Sequence, residues 1–115
     1  MGSSASKPET MAAKELVSQT VASSKVVVFS KTYCPYCTKA KNALKQFLTP
    51  EQFTVLELDQ RDDGDDIQAA LGEMTGAKSV PRVFVGGKFI GGGDDTARMA
   101  GNGELKNLLK SVGAM

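Results

Sequence analysis

The sequence predicts an α/β fold in which about five helices flank a four-stranded mixed β-sheet. An apolar strand pattern over residues 26–29 is followed by a helical pattern and a second strand, the order of a βαβ unit. A crossover of this kind is almost always right-handed and leaves its two strands parallel. Farther along the chain, two apolar runs joined by Gly86-Gly87 predict an antiparallel hairpin. Parallel and antiparallel pairs together make the sheet mixed.

The N-terminal part of the chain is expected to combine a short tail with one helix. Residues 1–7 are small and polar, and we expect them to be flexible, whereas residues 8–115 are expected to form a single domain. From Pro8 the apolar residues recur at helical spacing, and this helix should end near Ser23-Ser24. The run Val26-Val27-Val28-Phe29 is continuous and rich in β-branched residues, which predicts a strand covered on both faces.

The middle of the chain is predicted to form a helix, a strand and another helix. After Cys37 the apolar residues follow helical spacing, and Pro50 is expected to stop this helix. Residues 53–59 are the predicted second strand. The acidic loop at residues 60–66 is interpreted as helix caps and a solvated face, because no downstream Glu completes a calcium-loop spacing. A third helix follows, and Gly76 should close it.

The C-terminal part is predicted to hold the hairpin and a divided helical region. Val80-Pro81 leads into the first hairpin strand, and Lys88-Phe89-Ile90 forms the second. The glycine-rich stretch at residues 91–93 opens the final helical region. Gly101 and Gly103 are expected to split that region into two helices.

Composition excludes several classes of protein. The 115 residues leave room for one core, and 41% hydrophobic with 23% charged residues is typical of a globular protein. Fourteen basic against thirteen acidic residues give no basic surplus for nucleic acid. No apolar run approaches the roughly 18 residues of a transmembrane helix, and the N-terminus lacks an apolar signal core. Two cysteines that are kept for redox chemistry indicate a reducing compartment, so we expect the protein to be cytoplasmic. We also expect it to be a monomer.

The two cysteines lie in the motif Cys34-Pro35-Tyr36-Cys37, where the first strand meets the second helix. At such a junction the first helical N–H groups lack intrahelical partners and the helix dipole is positive, so an anion is favoured. Pro35 suits the first helical position, which makes Cys34 the N-cap and directs the amides of Tyr36 and Cys37 at its sulfur. We therefore expect Cys34 to react as a thiolate. Cys37, one turn later, is expected to be more buried and less ionised.

Two other interpretations of the cysteine pair are weaker. A structural zinc site needs four ligands, and the chain has two cysteines and no histidine. A structural disulfide across a two-residue gap would add almost no stability, because the loop that it closes is so short. A redox role is favoured instead, since this is the context in which CxxC is typical of thioredoxin-like proteins.

The order of the elements resembles the thioredoxin fold, and three motifs resemble those of dithiol glutaredoxins of the plant and algal type. They are Cys34-Pro35-Tyr36-Cys37, Ser79-Val80-Pro81 and Gly91-Gly92-Gly93-Asp94-Asp95, and the resemblance runs from about Lys25 to Leu109. Two positions depart from the family pattern. Ser79 stands where the family usually has Thr, and Gly93 stands where many members have Cys or Ser. The second departure leaves no third cysteine for side reactions.

The resemblance implies a glutathione-dependent thiol-disulfide oxidoreductase, with glutathione as co-substrate and no metal. Cys34 would attack glutathionylated proteins or small disulfides as the nucleophile, and Cys37 would be the resolving cysteine. The implied partners are glutathione and glutathionylated or disulfide-containing proteins. Two alternatives stay open: a homodimeric carrier of a glutathione-ligated [2Fe-2S] cluster, and a redox-sensing module without turnover. Pro35 stiffens the loop, which argues against the cluster.

The resemblance also implies residues that bind the two ends of glutathione. Lys31 and Gln68 would hold the glycine carboxylate, with the Tyr36 hydroxyl nearby. The amides of Gly93 and Asp94, at a helix N-terminus, would receive the γ-glutamyl carboxylate.

Three further residues complete the implied glutathione site. Val80 would pair its backbone N–H and C=O with the cysteinyl unit, as in strand addition. Pro81 is expected in the cis form, which only an X–Pro bond adopts readily and which would expose the Val80 backbone beside Cys34. Asp95 would take the ammonium group.

The first six residues, Met1-Gly2-Ser3-Ser4-Ala5-Ser6, match the N-myristoylation pattern. An unmodified tail is the simpler interpretation. If Gly2 were acylated, a single acyl chain would give only weak membrane association.

Overall fold

The computed structural model describes residues 7–115, which form one four-stranded sheet with helices on both faces. The strands are β1 (Val26–Ser30), β2 (Thr54–Glu57), β3 (Arg82–Val85) and β4 (Lys88–Gly91), in the order β2-β1-β3-β4. β1 pairs in parallel with β2 and antiparallel with β3, and β3 pairs antiparallel with β4. The predicted mixed sheet is therefore confirmed.

Five α-helices lie within the described residues: α1 (Pro8–Ser23), α2 (Pro35–Lys45), α3 (Gly64–Thr75), α4 (Gly93–Asn102) and α5 (Glu104–Ser111). No helix among residues 7–115 is long and apolar enough to cross a membrane. The acylation pattern at Gly2 and residues 1–6 of the predicted tail lie outside the described residues. Lys7 is the N-cap of α1.

Two hydrophobic cores lie on opposite faces of the sheet. Side chains of a strand alternate between its faces, so Val27 and Phe29 of β1 pack with α1 and α3, while Val26 and Val28 pack with α2, α4 and α5. All five residues of β1 are buried. The continuous apolar run thus predicted correctly that both faces of this strand are covered.

Two predicted boundaries are wrong, and the predicted division of the final helical region is correct in part. α2 ends at Lys45 rather than near Pro50. The amides of residues 46 and 47 donate hydrogen bonds to carbonyl groups three residues earlier, as in a 3₁₀ turn, instead of four residues earlier as in an α-helix. β2 is shorter than residues 53–59, since residues 58–60 form a 3₁₀ turn that buries Leu58. Gly103, at φ +90°, separates α4 from α5, because a left-handed residue ends a helix. Gly101 lies inside α4.

The predicted hairpin and the end of the third helix are confirmed. Gly86 and Gly87 have φ values of +61° and +82°, the left-handed pair that a tight two-residue hairpin turn requires. Gly76 caps α3 at φ +93°. These turns bring the N-terminal ends of β3 and α4 to the edge of the sheet where β1 leads into α2.

Candidate active site

Cys34 lies where β1 leads into α2. It is the N-cap of α2, with extended backbone, and Pro35 occupies the first helical position. The amide of Cys37 donates a hydrogen bond to Cys34 Sγ at 3.2 Å, as an N-cap side chain accepts from the third helical residue. The Tyr36 amide, the second expected donor, makes no hydrogen bond to this sulfur among the described residues. Cys34 is half-buried.

Cys37 lies one turn into α2 and is fully buried. Its Sγ accepts a hydrogen bond from the Lys31 amide at 3.5 Å. Burial raises the pKa of Cys37 to about 11, with a further rise from the hydrogen bond to the Cys34 side chain, and these effects outweigh the donors at Lys31 and Ser30. Cys37 is therefore a protonated thiol at neutral pH, as its position predicted.

A cis peptide bond joins Val80 to Pro81, directly before β3, in agreement with the prediction. It lies beside the reactive cysteine, since the Val80 carbonyl oxygen is 3.7 Å from Cys34 Sγ. Val80 therefore presents its backbone next to the Cys34 sulfur. An extended ligand joined to that sulfur would run along residue 80.

An open groove of about 370 Å³ extends from this point along the surface. Six of the eight predicted glutathione-binding residues line it: Tyr36, Val80, Pro81, Gly93, Asp94 and Asp95. The structure thus brings together residues that are up to 59 positions apart in sequence, by packing the first turn of α4 against the first turn of α2. Since Val80 contacts Cys34, a ligand in this groove would lie within reach of the sulfur.

The first turn of α4 explains why Gly93 suits this site. A Cβ at residue 93 would come within 2.5 Å of the Tyr36 carbonyl oxygen, so the absence of a side chain lets the two helices approach. The nearby carboxylates have protein partners. Asp95 accepts a hydrogen bond from the Gly92 amide at 3.1 Å, and Asp94 pairs with Lys39 Nζ at 2.6 Å.

The two remaining predicted residues, Lys31 and Gln68, do not line the groove. Gln68 lies on α3 and donates to the Lys78 carbonyl at 2.9 Å. Lys31 contributes its backbone to the cysteine loop, where its carbonyl accepts from the Cys34 amide at 3.2 Å. Any contact of their side chains with a ligand stays a prediction.

Sequence reasoning missed two residues of the groove, Arg82 and Phe89. Arg82 donates from Nε to the Ser79 carbonyl and from Nη2 to Ser79 Oγ, both at 2.7 Å. Its guanidinium lies 4.9 Å from the centre of the Phe89 ring. Phe89 was identified only as a hairpin residue, and the one signal for Arg82 was its position directly after Pro81.

The site places a sulfur nucleophile beside a groove that is lined by both positively and negatively charged side chains. It offers few side chains that could bind a metal ion. Within residues 7–115, no group of three or more His, Cys, Asp or Glu side chains could hold a metal ion. The chemistry that this arrangement supports is therefore attack by Cys34 on a disulfide, with Cys37 available one helical turn away.

Comparison with known proteins gives consistent matches. The glutaredoxin family model matches residues 26–90. A glutaredoxin from Vernicia fordii is 53% identical over 103 residues, which cover 90% of this chain and 93% of that protein. The crystal structure of oxidized glutaredoxin 2 from Chlamydomonas reinhardtii is 56% identical with a TM-score of 0.90, covering 92% of this chain and 98% of that one. The crystal structure of a buckwheat glutaredoxin-glutathione complex is 41% identical with a TM-score of 0.88. The match covers 96% of this chain and 99% of that one. These structures confirm the predicted thioredoxin fold.

Proposed function

The chain belongs to the glutaredoxin family, and we propose that it reduces protein-glutathione mixed disulfides and small disulfides with glutathione as co-substrate. The observation that carries the proposal is the placement of Cys34. Its sulfur accepts the Cys37 amide at a helix N-terminus and contacts Val80 at the end of an open groove. The buckwheat relative was crystallised as a glutathione complex, which supports glutathione as the occupant of this groove.

In the first step, the Cys34 thiolate attacks the glutathione sulfur of a mixed disulfide. A bond forms between Cys34 Sγ and glutathione, the original disulfide bond breaks, and the substrate leaves as a thiolate that takes a proton from water. A second glutathione thiolate then attacks the glutathione sulfur, which releases oxidised glutathione and restores the Cys34 thiolate. The Cys37 amide, 3.2 Å from Cys34 Sγ, stabilises the negative sulfur before the first step and after the second.

Cys37 serves a second route. Cys37 loses its proton to solvent, and its thiolate attacks Cys34 Sγ in a mixed disulfide, so that a Cys34–Cys37 disulfide forms as the other sulfur leaves. Two glutathione molecules then reduce this disulfide, which restores both cysteines and gives oxidised glutathione. Because Cys37 is buried and protonated at neutral pH, this route is slow, and a second glutathione competes with it. We therefore assign Cys37 to the reduction of protein disulfides rather than to deglutathionylation.

Glutathione would lie extended along Val80, with its cysteine sulfur at Cys34. Its γ-glutamyl end would reach the first turn of α4, where the amides of Gly93 and Asp94 face an anion and Asp95 faces an ammonium. This direction is supported by the groove, which runs from Val80 to Asp95.

Two serine variants test these roles on a glutathionylated peptide. Cys37→Ser is expected to keep most of the turnover, because the backbone amide that stabilises Cys34 is retained. Cys34→Ser is expected to lose it entirely, since Cys37, the other cysteine of the sequence, is fully buried. The measurement is the steady-state rate of peptide thiol release with glutathione in excess. Equal loss in both variants would contradict the assignment.

A further inference from the structure

Arg82 occupies a fixed position in the groove. Two hydrogen bonds of 2.7 Å hold it to Ser79, and the Phe89 ring lies 4.9 Å from its guanidinium. A planar cation held at three points loses little side-chain entropy when it binds a ligand. Arg82 is therefore preorganised for an anion.

The guanidinium keeps donors free for a ligand. It carries five N–H groups, and the bonds to Ser79 use one on Nε and one on Nη2. Burial lowers the pKa of Arg82, and the attraction of Asp95 partly offsets this, so the group is partly shielded from water yet charged at neutral pH. The free donors are on Nη1 and Nη2, at the tip of the side chain.

Arg82 is the one cationic side chain among the residues that line the groove. Lys39 forms an ion pair with Asp94 at 2.6 Å and does not line the groove. Neither Lys31 nor Gln68 lines the groove either.

The groove therefore combines the guanidinium of Arg82 with the carboxylates of Asp94 and Asp95. Asp95 also lies 3.5 Å from Nη2 of Arg98, which is outside the groove, so its carboxylate is shared between the two arginines. The guanidinium of Arg82 and the carboxylate of Asp95 together match a zwitterion, which carries a carboxylate and an ammonium on the same carbon.

Glutathione has such a carbon at its γ-glutamyl end, whereas its glycine end carries a carboxylate alone. We propose that Arg82 is a specificity residue that binds the α-carboxylate of the γ-glutamyl unit while Asp95 takes the ammonium. This inference rests on the proposed function and adds to it a side-chain partner for a charge otherwise assigned to backbone amides alone.

The test varies the ligand and the residue together. Three mixed disulfides of one cysteine peptide are compared, formed with glutathione, γ-glutamylcysteine or cysteinylglycine, and KM and kcat are measured for each. In Arg82→Gln, KM should rise about tenfold for the two adducts that carry γ-glutamate, the loss expected for one charge-assisted hydrogen-bonded pair. The cysteinylglycine adduct should be unaffected. Arg82→Lys keeps the charge without the planar fork and should show the same selective rise to a smaller extent.

Arg61→Gln is the matched control, because Arg61 is held through Nε and Nη2 by Asp63 but lies outside the groove. It should behave like the unmodified protein on all three adducts. Equal losses on the three adducts in Arg82→Gln would show that Arg82 only shapes the loop, and no loss on any would show that it does not contact the ligand; either result overturns the inference. An unmodified protein inactive on the glutathione adduct would instead refute the proposed function.

Discussion

At the scale of single residues, two cysteines three positions apart have opposite environments. Cys34 is half-buried and accepts an amide hydrogen bond at 3.2 Å, whereas Cys37 is fully buried. The same fold thus provides one sulfur that a substrate can reach and one that it cannot. Cys34 can therefore react with substrate directly, whereas Cys37 can react only with Cys34.

The raised pKa of Cys37 predicts a pH dependence of stability. Its pKa is 9.0 in an unperturbed chain and about 11 when folded, so between these values the folded state keeps a proton that the unfolded state has released. The stabilisation is complete below about pH 9 and is lost as the pH rises through 11, an effect on the order of 2 kcal/mol. Urea unfolding of the reduced protein between pH 8 and 11 measures it.

Cys37→Ser is the comparison for that measurement, because a serine hydroxyl does not titrate in this range. The free energy of unfolding should fall more steeply with pH in the unmodified protein than in the variant. Parallel profiles would show that Cys37 keeps an ordinary thiol titration despite its burial.

Residue-scale features were also the hardest to predict from sequence. The spacing of Cys34, Pro35 and Cys37 determines the N-cap locally, and so it could be recognised without a structure. Arg82 could not, because an arginine at the start of a strand is usually exposed. Its contact with Phe89 and the attraction of Asp95 arise only when the hairpin and α4 fold together.

At the scale of elements, the site depends on the close approach of α2 and α4. Gly93 permits it, since a side chain at that position would meet the Tyr36 carbonyl oxygen at 2.5 Å. An ion pair between Lys39 and Asp94 also joins the two helices, but both side chains are at least half exposed, so it contributes little. The close packing at Gly93 therefore constrains this contact more than the ion pair does.

Gly93→Ala is expected to destabilise the protein by about 1–3 kcal/mol, the usual cost of forcing extra volume into a packed contact. Gly101→Ala is the matched control, because Gly101 lies in the same helix with nothing within 4 Å of an added Cβ. That variant should be more stable by about 0.5–1 kcal/mol, from helix propensity alone. Urea unfolding measures both, and similar shifts of the same sign would contradict the packing argument.

The prediction of elements succeeded where the sequence pattern was long and regular. The helices at α1 and α3, the buried strand β1 and the Gly86-Gly87 hairpin follow from local periodicity and turn chemistry. The ends of α2 and β2 did not, because tertiary packing decides them: Leu58 leaves the strand pattern to enter the core beneath α1 and α3.

At the scale of the whole molecule, the sheet serves to bring three separate loops to one end. The α2 N-terminus follows β1, the cis-proline loop precedes β3, and the first turn of α4 follows β4. With the strand order β2-β1-β3-β4, these three segments are neighbours and form the groove. Their proximity was predicted from the resemblance to a family, because the residues alone predict the strands but not their order.

The most direct test of the account is the rate at which iodoacetamide alkylates Cys34 at pH 7 in Cys37→Ser, where it is the only thiol. If the helix N-terminus and the residue 37 amide hold the sulfur as a thiolate, it should react at least about ten times faster than glutathione under the same conditions. A rate equal to that of glutathione would show that the fold does not activate Cys34, and the proposed mechanism would be wrong.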